Sequence, residues 1–130
     1  VEIYFNAVRK GSYTCFLKED TRLPMMFMAD AIRATINLME LDRSEISLHS
    51  AYNISGPSLC PKEVAEDIRR YIPDFKMTCT PDFRQSIAET WPESVDDSLA
   101  RSHDHWKPTY DLKNITDTMV REIRNMQNKG

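Results

Sequence analysis

The sequence predicts an α/β domain in which helices alternate with short strands. Two observations carry that expectation. Apolar residues recur at helical spacing in three stretches, as Ile32, Ile36 and Met39, as Val64, Ala65, Ile68 and Ile72, and as Leu112, Ile115, Met119, Val120 and Ile123. Between them stand brief runs rich in strand formers, residues 13–17, 51–54 and 75–79, each next to turn formers or proline.

Taken in order, residues 1–10 place Ile3, Ala7 and Lys10 on one face with Tyr4 and Val8 beside it, and Gly11 stands where a helix C-cap belongs. A strand over residues 13–17 then runs into the polar Lys18-Glu19-Asp20. The Met25-Met26-Phe27-Met28 run reads as core packing. Asp30 heads a helix reaching Glu40, where a carboxylate in the first turn suits the helix dipole. Residues 41–50 form a polar connection, and residues 51–54 a strand stopped by Gly56-Pro57.

Pro61 opens the next helix, because proline is favoured at the first helical position. Its cap is unusual. Cys60 occupies the place where Ser, Thr, Asp or Asn would accept a backbone hydrogen bond, which weakens the cap by about 1 kcal/mol unless Ser58 takes over. Pro73 ends that helix, and residues 75–79 alternate as a half-buried strand. Residues 81–92 match neither period and read as irregular. A short helix over residues 96–101 is capped by Ser94 or Asp96, and a last helix starts at Asp111 and frays over residues 125–130.

Composition narrows the function. The net charge is −3 and no five-residue window is dominated by Lys or Arg, which argues against nucleic acid. The longest mainly apolar run, residues 23–29, falls far short of the roughly 20 residues a membrane span needs. The three cysteines lack C-x-x-C spacing, so reduced thiols in an intracellular compartment are favoured over a disulfide framework or a zinc ribbon. Gly11, Gly56 and Gly130 are too scattered to build a phosphate-cradling loop, and no Tyr is followed four residues later by Lys. There is no Gly-x-Ser-x-Gly elbow. The adjacent Asp96 and Asp97 point apart on a helix and suit capping, while His103, Asp104 and His105 read as a polar turn and not a metal site. The chain is therefore expected to carry no catalytic, cofactor-binding or metal-binding residue of its own. Val1 follows no initiator Met and stands mid-element, so the sequence reads as a piece of a longer chain.

Several phrases carry a resemblance: residues 13–17, Thr21-Arg22-Leu23-Pro24-Met25-Met26-Phe27-Met28-Ala29-Asp30-Ala31, Pro73-Asp74-Phe75, Pro81-Asp82-Phe83-Arg84-Gln85, Trp91-Pro92 and Asp96-Asp97-Ser98. In this order, over residues 1 to 120, they resemble the C-terminal third of the L-threonine 3-dehydrogenases of short-chain dehydrogenase type. That group belongs with the extended epimerases and dehydratases. The resemblance implies the C-terminal portion of an extended Rossmann enzyme, in which residues 1–130 form the substrate-side lobe and about 28–56 pack back on the missing nucleotide-binding sheet. The strand at residues 51–54 would then lack a partner here and leave apolar faces bare. Two positions depart from the family pattern: His105 stands where Gly is usual, and Cys60 where Thr is usual.

The resemblance also implies the function. The parent would oxidise L-threonine to 2-amino-3-oxobutanoate with NAD bound upstream, as a homodimer, in the mitochondrial matrix if eukaryotic and otherwise in the cytoplasm. The isolated chain would be inactive. Three residues are candidates for substrate contact. Trp91 either packs the lobe or, as the resemblance suggests, lines the threonine pocket. Arg22 either pairs with Asp20, Asp30 or a helix C-terminus or holds the threonine carboxylate. Arg84 either pairs with Asp82 or Glu89 or acts likewise. The alternative function is a truncated, non-catalytic homologue serving as an interaction module or remnant. A nucleotide-sugar epimerase is disfavoured, because Trp91-Pro92-Glu93-Ser94 holds no Arg for a diphosphate.

Overall fold

A computed structural model describes residues 1–46, 51–103 and 106–128. The expected opening helix is present as α1 (Glu2–Lys10), and Gly11 closes it in the left-handed conformation with φ of 66°, which a residue with a Cβ adopts only at a cost. Next come β1 (Ser12–Cys15), β2 (Leu23–Pro24), α2 (Met28–Glu40), β3 (Ser58–Leu59), α3 (Pro61–Arg69) and β4 (Lys76–Cys79). The chain closes with α4 (Phe83–Ala88), α5 (Ser98–His103) and α6 (Leu112–Asn128). β1 pairs in parallel with β4, Ser12 opposite Lys76 through Cys15 opposite Cys79. β2 pairs antiparallel with β3, Leu23 opposite Leu59 and Pro24 opposite Ser58.

Two cores hold these elements. The first joins Tyr4 and Ala7 of α1, Ala65 and Ile68 of α3, Phe75, and Ile115, Val120 and Ile123 of α6. The stripes predicted for the helices now seen as α3 and α6 thus meet each other, and each fully buried aliphatic side chain stabilises the fold by about 1.5–3 kcal/mol. The Tyr4 hydroxyl and Thr116 Oγ1 share a buried hydrogen bond of 3.1 Å inside this core. The second core is smaller: Ala34, Ala100 and Trp106, flanked by Met26, Tyr52 and Ile54.

Several expectations need correction. Residues 51–57 form no strand: an extended run becomes a strand only when a neighbouring backbone bonds to it, and the described chain brings β2 alongside Ser58–Leu59 instead. The irregular stretch contains α4, held by Asp82, whose Oδ1 accepts the Arg84 backbone N–H at 2.9 Å. Its apolar Phe83 and Ile87 face outward while Gln85 is buried, which is why no core-facing period marks it. α2 behaves similarly: Ile32, Ile36 and Met39 are exposed, and its buried residues are Asp30 and Ala34. The methionine run is core only in part, since Met25 and Met28 are exposed while Phe27 stacks on Tyr110 with centroids 4.3 Å apart.

At α3 the capping partners are Cys60 and Glu63 and not Ser58, whose hydroxyl donates to the Glu93 carbonyl. Glu63 reaches back instead, its Oε2 accepting the Cys60 backbone N–H at 3.2 Å, a carboxylate that also suits the helix dipole. Asp96 Oδ1 accepts the Ser98 N–H at 3.0 Å and so begins α5 as expected. α6 continues to Asn128 where fraying was expected from 125. Residues 47–50, 104–105 and 129–130, including parts of the polar connection, of the His103–105 turn and of the frayed end, lie outside the described residues.

One glycine is dictated by contact. Met25 N–H donates to the Pro57 carbonyl at 3.0 Å, and a Cβ built on Gly56 would stand 2.1 Å from the Met25 carbonyl oxygen. Backbone must shift to admit it. Gly56→Ala is expected to cost about 1–3 kcal/mol, as overpacking does, and an unchanged urea midpoint would refute this close approach.

Candidate functional site

The segment after β1 and the segment after β4 face each other across a concavity of about 280 Å³, lined by Lys18, Asp20, Thr21, Arg22, Gln85, Ala88, Glu89, Trp91 and Glu93. Gln85 fastens the two walls. Its Oε1 accepts the Lys18 backbone N–H at 2.8 Å, and its Nε2 donates to Thr21 Oγ1 at 3.0 Å and to Glu89 Oε1 at 2.9 Å. Lys18 Nζ adds an ion pair to Glu89 at 2.9 Å. That pair raises the Lys18 pKa, and Lys18 together with Gln85 lowers that of Glu89. Both side chains are about half exposed, so the pair contributes little to stability.

Arg22 is held from the other side. Its Nη1 donates to the Ser58 carbonyl at 2.8 Å and its Nη2 to Glu63 Oε1. Hydrogen bonding to Arg22 is the chief cause of the lowered Glu63 pKa, and hydrogen bonding to Glu63 the chief cause of the raised Arg22 pKa. Glu63 thus bridges the α3 cap and the Arg22 guanidinium. The partner expected for Arg22 was Asp20, Asp30 or a helix C-terminus; β2–β3 pairing carries it to Glu63 instead.

Trp91 lies just past α4, where its backbone N–H closes a turn onto Ala88 O at 3.1 Å. Its side chain is 58% exposed, and so it is not packing a core. Arg84 is elsewhere. Its guanidinium is clamped by Asp82, with Nη2 to Oδ2 at 2.6 Å, and its Cζ sits 3.5 Å from the Phe16 ring centroid. Arg22 and Trp91 therefore share one concavity, which Arg84 does not line.

Chemically, this arrangement can bind a small molecule carrying both charges: cations at Lys18 and Arg22, carboxylates at Asp20, Glu89 and Glu93, and an indole face. Among the described residues no group of three or more His, Cys, Asp or Glu side chains could hold a metal. The His103 side chain and residues 104–105 lie outside that set. No helix of the described residues is long and apolar enough to cross a membrane. A second, mostly apolar cavity of about 220 Å³ opens beside the start of α1, with Cys15, Phe16, Leu23 and Cys60 among its walls.

Sequence reasoning missed Gln85 and Glu63. Glu63 had a signal, a Glu three residues after a cap position. Gln85 had none, since its partners Lys18 and Thr21 are distant in sequence. Asp30 was read as a dipole partner for its helix, yet it is also a buried tie between elements. Its Oδ2 accepts the backbone N–H of Thr109 and of Tyr110, each at 2.9 Å, and Arg33 Nη2 reaches its Oδ1 at 2.9 Å.

No family model matches the chain. It is 48% identical over 124 residues to an uncharacterized epimerase/dehydratase of Staphylococcus saprophyticus, covering 95% of this chain and 39% of that protein. Among solved structures it is similar to a GalE-like L-threonine dehydrogenase from Cupriavidus necator, with 48% identity and a TM-score of 0.91 over 95% of this chain and 44% of that one. It is also similar to L-threonine dehydrogenase from Phytophthora infestans, with 40% identity and a TM-score of 0.93 over 97% of this chain and 41% of that one. The chain spans less than half the length of each. In sequence and in fold it matches the C-terminal part of the Rossmann-type L-threonine 3-dehydrogenases, enzymes of epimerase/dehydratase type.

Proposed function

We propose that the chain forms the substrate-side lobe of an NAD-dependent L-threonine 3-dehydrogenase. The observation that carries this reading is the meeting of Arg22 and Trp91, far apart in sequence, on one small concavity of mixed charge. Bound in the parent, NAD would supply the hydride acceptor for oxidation of the threonine carbinol to the ketone of 2-amino-3-oxobutanoate. The scattered Gly11, Gly56 and Gly130 offer no phosphate cradle, so cofactor and base belong to the parent outside residues 1–130. Arg22 keeps guanidinium donors beyond the two it uses and holds the threonine carboxylate. Trp91 bounds the apolar end and limits side-chain size. Arg84, engaged by Asp82 and Phe16, has a structural part.

The same reading has residues 28–56 packing on the parent's nucleotide-binding sheet. The exposed stripe Met28, Ile32, Ile36 and Met39 along α2 supports it, as does the strand-forming run at residues 51–54 that forms no strand here. The bacterial setting of the staphylococcal relative favours cytoplasm over the mitochondrial matrix.

The chain alone is expected to give no threonine-dependent NADH. A chimera in which it replaces the matched part of the Cupriavidus necator enzyme is expected to oxidise threonine. In that chimera Trp91→Ala should leave the melting temperature nearly unchanged, because the side chain is exposed, while raising KM for threonine about 10- to 100-fold. An unaltered KM would remove Trp91 from the pocket, and robust activity of the chain alone would overturn the lobe assignment.

A further inference from the structure

Cys15 and Cys79 stand directly opposite each other at the ends of the parallel strands β1 and β4. One residue earlier, Thr14 and Thr78 share a hydroxyl hydrogen bond of 3.3 Å, and strand alternation turns the next pair together to the other side of the sheet. Adjacent strands lie about 4.7–4.9 Å apart, within the Cα separation of about 4.4–6.8 Å that a disulfide requires. The two thiols are also near enough to hydrogen-bond to each other. They differ in access, Cys15 being buried and Cys79 half-buried. Cys60, also buried, shares the apolar cavity beside α1 with Cys15 but stands at the α3 cap, on no neighbouring strand position.

We propose that Cys15 and Cys79 are a dithiol site that a hydroperoxide oxidises to an intramolecular disulfide, leaving Cys60 reduced. The Cys79 thiolate, the more accessible, attacks one peroxide oxygen; the O–O bond breaks, leaving a sulfenic acid on Cys79 and releasing water or an alcohol. The Cys15 sulfur then attacks the Cys79 sulfur, the S–O bond breaks, and hydroxide departs with the Cys15 proton as water. The two thiols together lose two electrons and two protons, and the peroxide gains both electrons. Burial, with Cys15 and Glu19 nearby, pushes the Cys79 thiol up, so the first step is slow at neutral pH and needs prolonged exposure. The bond would brace both walls of the concavity at their roots, since β1 leads to Lys18–Arg22 and β4 to α4 and Trp91.

Tryptic mapping tests this directly, because cleavage after Lys and Arg separates Cys15 (residues 11–18), Cys60 (residues 44–62) and Cys79 (residues 77–84). The chain is incubated with hydrogen peroxide, alkylated without reduction and digested. Expected are a dithiothreitol-sensitive species joining 11–18 to 77–84, an alkylated 44–62, and free thiols falling from three to one. Cys60→Ser should give the same cross-linked species and Cys79→Ser none. A Cys15–Cys60 link, intermolecular links only, or three thiols still alkylated would each overturn the proposal.

Discussion

Asp30→Ala is expected to destabilise the chain by about 3–5 kcal/mol, the range for removing one partner of a buried charged network. Asp30 is 1% exposed, and its carboxylate serves the backbone N–H groups of Thr109 and Tyr110 and the Arg33 guanidinium. Alanine strands the two backbone donors, while Arg33 still donates to the Lys107 carbonyl. Arg33 is 40% exposed on its side chain, so water re-solvates it and most of the loss comes from the two backbone groups, at about 1–3 kcal/mol each. Asp30→Asn keeps an acceptor of the same shape and should cost distinctly less. Burial pushes the Asp30 carboxyl up, but the hydrogen bonds from Arg33, Tyr110 and Thr109 outweigh it and hold the pKa below the usual value. The contribution is therefore complete above the unfolded value near 3.9 and lost as pH falls through the lower folded one. Urea unfolding at neutral and acid pH reads both effects; Asp30→Ala unfolding at the midpoint of the unsubstituted chain would refute the tie.

Trp106→Ala should be as severe, about 3–5 kcal/mol for a large aromatic removed from a core. Trp106 is 1% exposed against Ala34 and Ala100, and the Arg33 guanidinium carbon lies 4.7 Å from its ring centroid. Its indole N–H has no hydrogen-bond partner among the described residues. Trp106→Phe therefore discards an unsatisfied donor while keeping an aromatic face for Arg33, and should cost much less than alanine. Equal midpoints for the two variants would show that filling this core position with an aromatic ring contributes nothing to stability. Because Arg33 touches both Asp30 and Trp106, the double variant Asp30→Ala/Trp106→Ala should fall short of the sum of the singles.

Where local pattern and tertiary burial agree, the sequence was legible. The stripes of Val64, Ala65 and Ile68 and of Ile115, Val120 and Ile123 do face a common core, and Gly11 does close α1. Pattern failed where it pointed away from this chain. Ile32, Ile36 and Met39 have helical spacing, yet in the described structure they meet solvent, and the tie on the opposite side is a charged residue that apolar periodicity cannot reveal. α4 was missed because Asp82 and its buried Gln85 hold it through polar contacts. For the site, family phrases drew attention to Arg22, Trp91 and Arg84. Only tertiary pairing of β2 with β3 and of β1 with β4 separated the two that share a concavity from the one that does not.

The first core joins parts of the chain that are nearly a full length apart. Tyr4 bonds to Thr116 across 112 positions of sequence, and β1 waits more than sixty residues for its only described strand partner, β4. Such long-range closure is slow. During synthesis α1 leaves the ribosome before α6 and must keep its apolar face from aberrant contacts until α6 has emerged. The second core, assembled around α2, can close within that interval, so the apolar face of α1 is the surface that stays open longest and is covered once α6 is released.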